Sequence, residues 1–150
     1  MKRIHKIIAV RVALVATLLL SGCVSIAPID PTGTWSGTLT WTDGPANGLT
    51  YPLTLQLLDE ETETRGTVTL MGPGSQLFDL TIWDAAVHAH SILVEASGTM
   101  SLVSPPIRVA VRLDGDFDEM NMSGTGEQTA DGRTYAFTWQ LVRITPIPQD

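Results

Sequence analysis

The side chains able to do chemistry fall into three groups. Cys23 is the only cysteine among 150 residues, so it has no partner for a disulfide and is the one sulfur nucleophile of the chain. His88-Ala89-His90 would place two imidazoles on one face of a strand, a pairing that suits zinc or copper. Two ligands do not make a site, and nothing in the spacing singles out a third such as Asp84. Asp114-Gly115-Asp116-Phe117-Asp118-Glu119 sets carboxylates at alternate positions, as a calcium loop begins. Glu119 then occupies the place of the obligatory turn glycine and Thr125 that of the bidentate glutamate, so we read a solvated acidic hairpin. No Gly-x-Ser-x-Gly elbow occurs, and neither histidine lies beside a nucleophile motif. The expectation is a protein that is not an enzyme and uses no metal or cofactor.

Cys23 stands behind a leader. Lys2, Arg3 and Lys6 make a basic start, Val12 to Leu20 an apolar run broken only by Thr17, and Ser21-Gly22 a small pair, the pattern of an export signal over residues 1–22. The run is shorter than the about 20 residues needed to cross about 30 Å of hydrocarbon, and Arg11 interrupts any longer window. Leu20-Ser21-Gly22-Cys23 resembles the lipobox of bacterial lipoproteins. The resemblance implies cleavage between Gly22 and Cys23, a diacylglyceryl group on the Cys23 thiol, and a fatty acid such as palmitate on the new amine. Val24 stands where an Asp would signal inner-membrane retention, similar to the class sorted to the outer membrane of Gram-negative cells. The expected address is a cell membrane, reached through acyl chains on Cys23.

Losing the leader changes the charge. Lys2, Arg3, Lys6 and Arg11 leave with it, so a formal charge of −7 becomes −11 over residues 23–150, five Arg against 16 acids. A body with that balance has no basic face for a phosphate backbone, which excludes a nucleic-acid partner and favours solubility or a cationic protein.

Residues 23–32, with Pro28 and Pro31, read as an extended lipidated tether, 33–145 as one β domain and 146–150 as a tail. Thr is abundant and apolar residues alternate with period two. Trp35, Gly37, Leu39 and Trp41 share a face, as do Tyr51, Leu53, Leu55 and Leu57; then Val68 and Leu70; then Phe78, Leu80 and Ile82. Ile92, Val94 and Ala96 follow, then Ile107, Val109, Val111 and Leu113, then Met120 and Met122, then Tyr135, Phe137, Trp139 and Leu141. Short turns join these segments, Asp131-Gly132 the clearest, and the stretch after Ala85 is the hardest to place. The fold class is all-β, an antiparallel meander of about eight strands that closes as a small barrel, with a β-sandwich the alternative way to hide its edges. Recurrent Gly-Thr pairs, such as Gly37-Thr38 and Gly124-Thr125, fit glycine relieving crowding where a closed sheet bends.

Gly33-Thr34-Trp35 in the first strand and Arg143 at the end of the last resemble the lipocalin and wider calycin barrels. The resemblance implies that Trp35 closes one end of the barrel and that Arg143 packs across its ring. From this follows the leading functional expectation, a lipid-anchored envelope lipoprotein that holds an apolar or amphipathic small molecule among Trp41, Tyr51, Phe78, Met120, Met122 and Trp139. The alternative is an acidic interaction or inhibitor lipoprotein meeting a cationic envelope partner, similar in size and address to small lipoproteins that inhibit basic lysozymes. A structural envelope component is the third.

Overall fold

A computed structural model describes residues 29–60, 63–72, 76–100 and 105–144; Gly22 and Cys23, with the rest of the leader, lie outside the described residues. Eight strands follow in chain order: β1 Gly33–Trp41, β2 Thr50–Glu60, β3 Glu63–Gly72, β4 Gln76–His88, β5 Ser91–Met100, β6 Ile107–Phe117, β7 Asn121–Ala130 and β8 Arg133–Arg143. Each pairs antiparallel with the next, and β8 returns to β1 with Trp35 opposite Arg143, so the sheet closes as a barrel and not as a sandwich. Closure removes both edges, which an eight-strand meander would otherwise expose.

Period two sorts the side chains between inside and outside. Trp35, Leu39, Leu53, Leu55, Val68, Leu70, Leu80, Ile92, Val94, Val111, Leu113, Met122, Phe137, Trp139 and Leu141 fill the interior, each buried, while Ser36, Thr38, Thr40, Thr54, Thr67 and Thr69 stand on the outer wall. Apolar inside and polar outside is the inverse of a barrel whose wall meets lipid. Glycines make room for the largest rings. Gly115 of β6 faces Gly124 of β7, and the Trp139 indole of β8 lies over that pair, its Nε1 donating to the Thr125 carbonyl at 2.8 Å. Phe137 covers Gly126 in the same way. Two aromatic rings thus occupy the volume that three neighbouring inward glycines leave empty.

The two ends of the barrel are built differently. At the lower end lie the lead segment from Ile29, the β4–β5 and β6–β7 turns and the exit of β8. At the upper end lie the β1–β2 connection, with a single 3-10 turn at Gly44–Ala46, and the type I′ turn of Asp131 and Gly132, both at positive φ (50° and 71°).

Three expectations need correction. Met120 does not begin a strand beside Met122; it sits in the β6–β7 turn, 57% exposed. The cause is Asp118, whose Oδ1 accepts the Met120 and Asn121 amides at 2.7 Å each and holds the chain in a turn until Asn121. Those bonds hold the Asp118 carboxyl below its usual range, helped by the Asn121 amide side chain and more weakly by the charge of His90. His88 and His90 do not share a strand face, because Ala89 at φ 51° turns the chain and His90 falls in the turn. The acidic run is not a single hairpin loop either: Asp114 and Asp116 lie on the outer face of β6, and only Asp118 to Met120 form the turn.

Candidate functional site

The lower end is sealed from the sequence upward. Residues 29–32 cross it, with Pro31 buried and its carbonyl accepting the Trp35 indole N–H at 2.8 Å. Arg143, on the neighbouring strand, lays its guanidinium 4.2 Å from the centre of the Trp35 ring. Its two terminal nitrogens donate to the Thr32 carbonyl at 2.6 Å and the Asp30 carbonyl at 2.7 Å. The guanidinium therefore stacks on an aromatic face and satisfies two carbonyls of a segment that no strand ladder holds. Burial pulls the Arg143 pKa down, opposed by the charges of Asp30 and Glu119, and an arginine so placed stays charged at physiological pH. This stacking is the geometry that the resemblance to calycin barrels implied for Trp35 and Arg143.

The upper end is different. Tyr51, Phe78, Met100, Ala130 and Tyr135 are partly buried around its rim and pack against the core. The β1–β2 connection covers one side: Ala46 tucks in, Gly44 lies against the Tyr135 ring at a positive φ of 69°, and Asp43 Oδ1 accepts the Ala136 amide at 2.8 Å. Beneath the rim two buried polar atoms have no partner, the Trp41 Nε1 donor and the Gln128 Oε1 acceptor, in residues 2% and 7% exposed. Trp41 is fixed edge-on to Phe137, with ring centres 5.2 Å apart. A buried donor and a buried acceptor left unmatched each cost about 1–3 kcal/mol, so both atoms are destabilising as they stand.

Of the six residues expected to line a ligand site, the structure gathers Trp41, Tyr51 and Phe78 at the upper end. It does not bring the others there: Met122 and Trp139 are buried in the packed barrel below, and Met120 is exposed at the opposite end. Gln128 was missed, although it keeps the parity of Met122 along β7, and a polar side chain at an inward position is itself a signal. Among the described residues no three metal-ligating side chains come together, and no helix is long and apolar enough to cross a membrane.

Fold and site together define a closed eight-stranded meander barrel with a packed waist, one end sealed by an arginine on a tryptophan and the other rimmed by aromatic side chains. Compared with known proteins, the chain matches no family model, and no curated protein or solved structure shows significant similarity to it.

Proposed function

We propose that this chain is a lipid-anchored lipoprotein of the cell envelope whose barrel binds a small amphipathic molecule at its upper end. The observation that carries the reading is the unmatched pair of Trp41 Nε1 and Gln128 Oε1 beneath an aromatic rim. Because Leu39, Leu53, Leu55 and Trp139 fill the waist, an acyl chain does not run the length of the barrel; the ligand sits in the mouth. The pair also selects the head group. A carboxylate can accept from Trp41 but offers Gln128 no donor. A neutral hydroxyl or amide does both, so the favoured class is a fatty alcohol, fatty amide or acylglycerol.

Titration of the intrinsic tryptophan emission with a short-chain monoacylglycerol is expected to give a saturable change that Trp41→Phe abolishes. The corresponding fatty acid is expected to bind several-fold more weakly at neutral pH. Absence of a saturable change with either ligand contradicts the reading.

The anchor places this mouth away from the bilayer. The chain leaves the barrel at its lower end, and Cys23 precedes Ile29 by six residues, at most about 20 Å of extended backbone. Acyl chains on Cys23 would add about 0.8 kcal/mol per buried methylene, enough with two or three chains for firm attachment. In metabolic labelling with palmitate, Cys23→Ser is expected to lose all label and to release the protein from membranes. Label retained in that variant would refute lipidation at Cys23. An acidic body meeting a cationic protein is the second reading, and a separate observation on the outer wall favours it.

A further inference from the structure

The inside-outside alternation slips once, in β4. Pairing with β5 jumps from Ile82 opposite Ala96 to Asp84 opposite Glu95, a bulge that turns Trp83 and Asp84 to the same, outer side. Trp83 is 62% exposed, whereas Trp35, Trp41 and Trp139 are all within the core. Bulges re-aim side chains, and the Trp83 indole is a large apolar surface that the described residues leave mostly uncovered. The row of outward residues that starts at this bulge continues across the sheet through Glu95, Arg112 and Glu127. Arg112 is shared between Glu95 at 3.6 Å and Asp114 at 4.0 Å. From Arg112 toward β8 the wall dips into an open depression of about 460 Å³ lined by Arg112 itself and by Asp114, Glu127, Thr125 and Thr138. Among the described residues, no ion pair engages Asp84 or Glu127.

We propose that this strip, from Trp83 to the depression, is the docking surface for an extended basic segment of a protein partner. Four carboxylates, those of Asp84, Glu95, Asp114 and Glu127, face a single guanidinium on the strip, within a body of net charge −11 from Cys23 onward. A cationic side chain is therefore drawn to either end. At one end the Trp83 face takes an arginine by stacking, with Asp84 beside it; at the other the depression receives a second base against Glu127. Strands lie about 4.8 Å apart, so β4 to β7 spans about 14 Å, the length of about four extended residues. The segment thus carries two bases about four residues apart. Tryptophan is among the side chains that most often dominate binding energy, and here it stands at one end of the strip with charges along it. The proposal does not depend on the ligand reading.

The test uses the full chain in a non-ionic detergent at low salt, with fluorescently labelled octa-arginine as the probe and octa-glutamate as its counterpart. Saturable binding of octa-arginine alone is expected. Trp83→Ala, and separately the double variant Asp84→Asn with Glu127→Gln, are expected to weaken it about tenfold or more. Asp131→Asn, at the upper β7–β8 turn, is expected to leave it unchanged. All three substitutions with large expected effects are at exposed side chains, so circular dichroism should show an intact barrel. Absence of saturable binding overturns the proposal, and so does an affinity unchanged from the unsubstituted protein in Trp83→Ala and in the double variant, which would assign the attraction to diffuse charge.

Discussion

Replacing Arg143 with methionine is expected to lower stability by about 3 kcal/mol, a fall in melting temperature of about 10 °C, and to free the segment before β1 from the barrel. Methionine keeps most of the volume over Trp35, so the loss isolates what the guanidinium does. It removes the stacking on the indole and leaves the Asp30 and Thr32 carbonyls without their donors at an end of the barrel that is largely closed to water. Charge-assisted bonds of this kind are worth about 1.5–3 kcal/mol each, and the sum is reduced because the released segment can hydrate. Arg143→Lys should recover only part of the difference, since one ammonium cannot span two carbonyls and stack at the same time. Thermal unfolding measures the cost. Hydrogen exchange of the Trp35 indole N–H, bonded to the Pro31 carbonyl, reports whether the segment has lifted. A stability loss below about 1 kcal/mol with unchanged exchange would show that the lower end is held by something other than Arg143.

Gly124→Ala is expected to cost about 3 kcal/mol despite adding one methyl group. The added carbon would lie 2.6 Å from the Cα of Gly115 and closer still to the Asp114 carbonyl oxygen, so the clash is with backbone and cannot be relieved by turning a side chain. Separating β6 from β7 there would also disturb Trp139, whose ring covers the glycine pair. Gly48→Ala supplies the contrast. Gly48 has a positive φ of 81° and nothing within 4 Å of an added carbon, so only the torsional cost of about 1 kcal/mol applies. Urea unfolding of the two variants separates steric from torsional cost. Equal losses would contradict the account of why β6 and β7 carry facing glycines.

Much of the barrel was legible because one physical rule, alternation about a buried face, operates in every strand. Trp35, Leu39 and Trp41 on β1 and Phe137, Trp139 and Leu141 on β8 announce their side without any knowledge of partners, and the short polar turns announce a meander. Where the rule failed, a local competitor had won. Asp118 captures two amides and delays β7 by a residue, which is why Met120 points into water although it keeps the parity of Met122. The bulge at Trp83 shifts parity within β4, so Ile82 before it and Ala85 and Val87 after it all face inward although their numbers alternate wrongly. That slip is what made the stretch after Ala85 hard to read. The site was less legible than the fold. Trp41, Tyr51 and Phe78 lie toward the same end because of strand direction and register, and period alone cannot say at which end of a barrel a residue lies. Gln128 becomes informative only when its oxygen is seen buried and unmatched.

The most direct test of the proposed site at the upper end is a proton–nitrogen NMR titration that follows the four indole N–H resonances as a short-chain monoacylglycerol is added. Trp35 and Trp139 already donate to backbone carbonyls, and Trp83 stands on the outer wall, so neither the sealed end nor the wall should respond. The account predicts a saturable downfield shift of the Trp41 N–H, as it gains an acceptor, with the other three unmoved. A Trp41 resonance that stays in place while ligand is added, or a shift confined to Trp83, would contradict it.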